Sequence, residues 1–184
     1  MRIGFDFDKV FIDYLPFIPD YLVESFYKKK TRGTLLYRLP SKPEQLFRQL
    51  THHTYLRPII KDNVHFLRKL AKKDHHLFLI SSRFSFLERI TSQIVKRHHF
   101  DLLFDGLYFN FKDEQPHLFK YRMIKKLKLD MYIDDDLALL KYIASKNSQL
   151  TLYWLNKKST GNIEANIYGI ISLASLPVTK KGDR

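Results

Sequence analysis

With 184 residues, 45% hydrophobic content and only 6 Gly and 7 Pro, the chain has enough apolar material for one well-buried core and does not read as disordered. It contains no cysteine, which excludes disulfides, thiolate zinc sites and cysteine-nucleophile phosphatase chemistry. The formal charge of +13 is unevenly placed, with thirteen Lys or Arg between Phe26 and Lys73 against Glu44 and Asp62.

The first predicted element is a strand over Arg2 to Phe7, running into Asp6-Phe7-Asp8. Met1-Arg2 leads straight into it rather than into a signal sequence, and no apolar stretch approaches the roughly 18 residues that span a bilayer, so a cytoplasmic protein with no membrane partner is expected. Roughly seventy residues separate this strand from the next, where a whole crossover unit takes about thirty, so something is inserted. Within the insert, Asp20 is placed to cap a helix carrying Leu22, Val23 and Phe26. Ser41-Lys42-Pro43-Glu44 is a capping box opening a helix with Leu46, Phe47 and Leu50 on one side. The expected organisation is a core over residues 1–14 and 58–177, a small helical insert over 15–57 and a frayed polar tail over 178–184.

Beyond the insert, Ile60, Val64, Leu67 and Leu70-Ala71 mark one face of a helix. A strand over His76 to Ile80 then runs into Ser81-Ser82-Arg83, and Ser85-Phe86-Leu87-Glu88 has the pattern of a capping box for a helix carrying Leu87, Ile90, Ile94 and Val95. A third strand is predicted at Gly106 to Phe109, and Lys120 opens a helical stretch over Tyr121 to Leu127. The strand Asp130 to Ile133 ends in Asp134-Asp135-Asp136, of which Asp136 is placed to cap a helix over Leu137 to Ser145. A last strand covers Leu150 to Leu155. Short strand-like runs alternating with segments of helical period predict an α/β fold, a Rossmann-like parallel sheet flanked by crossover helices.

In such a sheet, ligands bind beyond the carboxyl ends of the strands, where residues following different strands converge. Two acid clusters, two serine hydroxyls and a lysine would meet there. A lone Asp-x-Asp is weak, since surface acids often fall two apart, but four stations in this order are specific. They resemble the haloacid dehalogenase-like superfamily: Asp6-Phe7-Asp8-Lys9-Val10 is similar to its first motif, Ser81 to its hydroxyl station, Lys120 to its basic station and Asp134-Asp135 to its final acidic pair. The likeness spans roughly Arg2 to Trp154.

The resemblance implies a magnesium-dependent phosphatase acting through an aspartyl-phosphate. Asp6 would be the nucleophile, activated by position and by charge neutralisation rather than by basicity. Asp8, on the same side of an extended chain, would protonate the leaving oxygen and later take a proton from water. Ser81 would offer its hydroxyl to a phosphoryl oxygen, with Ser82 adding a backbone N–H, Arg83 a charge and a nearby helix N-terminus favouring the anion. Lys120, with Lys112 as its nearest competitor and Lys125, Lys126 and Lys128 as others, would neutralise developing charge. Asp6, Asp134, Asp135 and the backbone carbonyl of Asp8 would hold Mg2+. The residue after the second acid is usually glycine in the superfamily; here it is Lys9. An insert after the first strand resembles the caps that close over such sites, notably in the 5′-nucleotidase-like branch, so the expected partner is a nucleotide or other small phosphorylated metabolite.

Other features carry less. His52-His53, His75-His76 and His98-His99 are adjacent pairs, whereas a helical metal site wants ligands at i and i+4. The aromatic residues fall mostly at core periodicities. The basic stretch from Phe26 to Lys73 reads either as a solvated surface or as an electrostatic funnel for an anionic substrate. A rival from another class is a basic protein that binds nucleic acid, or nucleic-acid ends, on the same fold.

Overall fold

The structure, a computed structural model, describes residues 1–14, 28–29, 35–157 and 160–178. In chain order the strands are β1 (Arg2–Phe5), β2 (Lys28–Lys29), β3 (Leu36–Tyr37), β4 (His76–Ser81), β5 (Gly106–Phe109), β6 (Met131–Asp134), β7 (Thr151–Leu155), β8 (Gly161–Glu164) and β9 (Ile167–Ile170). The α-helices are α1 (Lys42–Thr51), α2 (Lys61–Leu70), α3 (Glu88–Arg97), α4 (Pro116–Leu127) and α5 (Leu137–Lys146). Seven strands form one sheet in the order β5-β4-β1-β6-β7-β9-β8, parallel except where β8 pairs antiparallel with β9. The short β2 and β3 pair with each other antiparallel.

Alternation along the strands sends successive side chains to opposite faces, and both faces are covered, as a parallel sheet requires. Ile3, Phe5, Leu77 and Leu79 pack with Val64 and Leu67 of α2 and Ile94 of α3. On the other face Phe78, Ile80 and Tyr132 pack with Ile124 of α4 and Leu140 of α5. Gly4 faces this second layer, where any side chain would collide with Leu129 and the Tyr132 ring. Glycine is needed here for close approach rather than for backbone freedom.

Beyond β1 the chain turns sharply. The amides of Phe11 and Ile12 both donate to the Phe7 carbonyl, and Lys9 is left-handed at φ 60°. That conformation explains why glycine suits this position and shows that lysine also occupies it. The chain leaves the sheet and returns at one place: Asp13 N–H donates to Pro58 O and Ile60 N–H to Phe11 O, each at 2.8 Å.

The strand and helix expectations correspond closely to these elements, with differences that have physical causes. β1 stops at Phe5 because Asp6 has left the ladder with β4, although its amide still donates to Ile133 O at 2.9 Å. The Ser85 capping box does not form. Ser85 donates its hydroxyl to Asp113 Oδ2 at 2.7 Å, residues 85–87 make a 3₁₀ turn, and α3 begins only at Glu88. Lys120 lies inside α4 rather than at its start, since Pro116 fixes the first turn. β8 and β9 have no counterpart among the expected strands, nor do the short β2 and β3, which fall within the insert expected to be helical. The Ser41 box does form, with Glu44 accepting from the Ser41 amide at 2.7 Å, but Leu46, Phe47 and Leu50 on that helix are exposed. The expected helix at Asp20 to Phe26, the side chains of the basic run Lys28 to Arg32 and all but the first residue of the 178–184 tail lie outside the described residues.

Candidate active site

Two strand ends and one helix supply the acidic centre. Asp6 follows β1, Asp134 closes β6, Asp135 comes next, and Lys120 reaches in from α4. The Lys120 ammonium lies 2.7 Å from Asp6 Oδ1 and 2.6 Å from Asp134 Oδ2. All three groups are buried. Tyr132 donates its phenol to Asp134 Oδ2 at 2.9 Å and the Asp136 amide donates to Asp134 Oδ1 at 3.0 Å, so both oxygens of Asp134 are oriented. Asp136 caps α5 as expected, accepting from the amides of Ala138 and Leu139, and takes a further bond from the Tyr37 hydroxyl at 2.7 Å.

The electrostatics follow from crowding carboxylates in a dry site. Burial pushes the Asp6 carboxyl up to about 7, with Lys120 opposing the shift and Asp134 and Asp8 adding to it. Burial and the charges of Asp134 and Asp6 push Asp135 well above the usual carboxylate range. For Lys120, burial works against the charge, but Asp134 and Asp6 outweigh it and hold the ammonium well above the ordinary lysine range. One oxygen from each of Asp6, Asp134 and Asp135 lies within 4.8 Å of the others. This all-oxygen set suits a hard divalent cation such as Mg2+, which would also relieve the repulsion among them.

Asp8 has a different environment. Arg83 donates through Nε to Oδ2 and through Nη2 to Oδ1, both at 2.8 Å, and Arg57 Nη2 donates to Oδ1 at 2.8 Å. Burial would raise this carboxyl, yet the Arg83 and Arg57 guanidiniums hold it well below the usual range. Arg83 also rests over the Phe7 ring and Arg57 over Tyr14, so each fork is fixed by stacking as well as by hydrogen bonds.

Asp6, Asp8, Ser81, Ser82, Lys120, Asp134 and Asp135 all line one cavity of about 150 Å³. Ser81 is buried, and its Oγ accepts from the Arg83 amide at 3.4 Å. The Ser82 Oγ is buried with no hydrogen-bond partner among the described residues. Lys112, Lys125, Lys126 and Lys128 are exposed, whereas Lys120 is buried.

The cavity also has lining residues that the sequence did not mark. Arg48 and His52, from the end of α1 and its cap, line it, and both are buried. His52 Nδ1 is 2.8 Å from Arg48 O; burial, Arg57 and Arg83 lower its pKa to about 3, so the ring is neutral and Nδ1–H is the donor. Arg48 and Arg57 carried no signal to separate them from the other basic residues of that stretch. Tyr37 was likewise unmarked.

No family model matches the sequence, and no curated protein matches it. Solved structures do. A protein from Bacteroides fragilis assigned to the haloacid dehalogenase-like hydrolases aligns with a TM-score of 0.64 at 17% identity, over 94% of this chain and 97% of that one. A haloacid dehalogenase-like family hydrolase from Streptococcus pneumoniae gives 0.57 at 14% identity, over 85% and 84%. An Asp-to-Ala mutant of an enzyme of this family from Bacteroides thetaiotaomicron, complexed with magnesium and inorganic phosphate, gives 0.55 at 14% identity, over 86% and 95%. With the parallel sheet and its flanking helices, these alignments give the chain the haloacid dehalogenase-like fold.

Proposed function

We propose that this chain is a magnesium-dependent phosphomonoester hydrolase working through an aspartyl-phosphate on Asp6. The observation that carries the reading is Lys120 bridging Asp6 and Asp134 inside a buried carboxylate cluster. Asp6, Asp134 and Asp135, with the backbone carbonyl of Asp8, would hold Mg2+. When bound, the ion supplies charge neutralisation at the phosphoryl oxygens. Magnesium and phosphate bound to the Bacteroides thetaiotaomicron protein support this choice.

In the first step an Asp6 oxygen attacks phosphorus as the ester oxygen departs. Lys120 neutralises the charge between Asp6 and Asp134 and keeps Asp6 from turning away. The orphaned Ser82 hydroxyl is a donor available to a phosphoryl oxygen. Ser81, already engaged with the Arg83 amide, braces that loop and adds a second hydroxyl. In the second step water attacks phosphorus, the bond from phosphorus to the Asp6 oxygen breaks to release phosphate, and Asp8 takes the water's proton. As held here, Asp8 is an acceptor, because both of its oxygens receive guanidinium N–H groups. To protonate a leaving group it must first loosen from Arg83 and take up a proton from solvent.

The insert over 15–57 is the element that would select the substrate, a nucleotide or other small phosphorylated metabolite, in the manner of the 5′-nucleotidase-like branch. Its ends meet at Asp13 and Pro58, which supports treating it as a separate cap. A screen of phosphorylated metabolites and p-nitrophenyl phosphate with magnesium tests the reading. Metal-dependent phosphate release, absent in Asp6→Asn, is expected. Equal turnover by a folded Asp6→Asn protein would remove Asp6 as nucleophile.

A further inference from the structure

Two sets of charges line the cavity. Lys120 is paired with Asp6 and Asp134; Arg83 is paired with Asp8, to which Arg57 also donates, and Arg48 lines the same cavity. Arg48, Arg57 and Arg83 are exposed by only 6%, 4% and 5% of their surface. Guanidinium is the more weakly hydrated of the two basic groups, and its planar fork matches the oxygens of phosphate, so buried arginines at a cavity wall suit oxyanion recognition. His52 packs beside Arg48 as a neutral ring and therefore leaves the wall's charge to the arginines.

We infer that Arg48 and Arg83 form a second anion subsite, and that the substrate is a phosphomonoester whose leaving group carries another phosphate. This rests on the hydrolase reading and specifies its substrate class. The scissile phosphate lies against Asp6 and Lys120, and the second phosphate reaches the arginine wall. An anion arriving at Arg83 competes with Asp8 for the same N–H groups, so binding at this subsite also loosens Asp8 at the moment it is needed.

The test compares α,ω-alkanediol bisphosphates of two to four carbons with the matching hydroxyalkyl monophosphates. Binding is measured by calorimetry on the full-length Asp6→Asn protein with magnesium. The bisphosphate of matching length is expected to bind at least about tenfold tighter, the scale of one charge-assisted contact. Arg48→Met should remove most of that preference. Arg48→Lys, which keeps the charge but loses the fork, should retain only part of it and serves if Arg48→Met does not fold. Equal affinities for both series, or a full preference in a folded Arg48 variant, would overturn the subsite. The hydrolase reading fails separately, by absence of magnesium-dependent phosphate release from p-nitrophenyl phosphate by the parent protein, and the binding comparison decides the subsite either way.

Discussion

Arg83 grips Asp8 with two parallel hydrogen bonds, Nε to Oδ2 and Nη2 to Oδ1, each 2.8 Å long. The pair joins the turn after β1 to the segment after β4, and Arg57 brings in the far end of the insert. Replacing Asp8 leaves buried guanidiniums without their carboxylate, which is far more harmful than losing a surface pair. Asp8→Asn should lower stability by about 2 kcal/mol, the carboxamide oxygen keeping part of the contact, as read from urea unfolding. It should also slow alkyl phosphates more than aryl phosphates, whose leaving groups need less protonation. Equal slowing of both would count against a proton-transfer role.

For Asp6→Asn, a nearly isosteric change, turnover should fall at least about a hundredfold, typical of losing one principal catalytic interaction. The thermal midpoint should not drop, because the mutation relieves a carboxyl that burial and its neighbours already strain. Phosphate release and a melting curve on the same sample check both.

Asp134→Asn or Asp135→Asn should raise the magnesium concentration needed for half-maximal activity, and excess chelator should abolish turnover. Calcium should substitute poorly, because its larger radius and coordination by six to eight oxygens would draw in both oxygens of Asp6. Full activity with calcium would contradict the assignment of Asp6 as both ligand and nucleophile.

His52 gives a pH signature away from the acidic centre. Its folded pKa, about 3, lies below the ordinary value of 6.5, so the unfolded chain takes up a proton first as pH falls. Stability is therefore lost from about pH 6.5 downward, by about 3 kcal/mol at pH 4 from this group alone. The profile of His52→Gln should be flatter by that amount over the same window. Parallel profiles for variant and parent would show that the ring titrates normally.

At Lys9, the left-handed φ of 60° makes glycine the better backbone residue, offset by glycine's greater unfolded-state entropy. Lys9→Gly should be between neutral and about 1 kcal/mol more stable. Destabilisation in chemical denaturation would mean that the contacts of the lysine side chain with Asp13 and Tyr14 outweigh the backbone term.

Much of the fold was legible because the buried strands are continuous apolar runs with polar residues at their ends. Phe5 before Asp6 and Ile133 before Asp134 together mark the sheet and the edge where the acidic cluster gathers. Lys120 was legible from its order among the stations and from an expected place at the start of its helix; it lies inside that helix instead, which also carries the exposed Lys125 and Lys126. The edge strand β8 was not legible: Gly161-Asn162-Ile163-Glu164 offers one apolar side chain and no alternation to read. Arg48 and Arg57 were hidden for a different reason. A buried arginine and a solvated one look alike in sequence, and what separates them here is Asp8 and a cavity wall formed by segments far apart in the chain.

Gly4 shows how far the chemistry reaches back into the sheet. Its missing side chain leaves room for the Tyr132 ring, and that ring's hydroxyl steadies the carboxylate of Asp134 two residues on. A survey of every substitution along this chain would therefore score Gly4 as intolerant as Asp6, although it touches neither metal nor phosphate. Its intolerance would be that of a hinge pin: Gly4→Ala should displace a tyrosine, the tyrosine should release an acid, and the defect would be read as poor metal affinity in a protein that still folds.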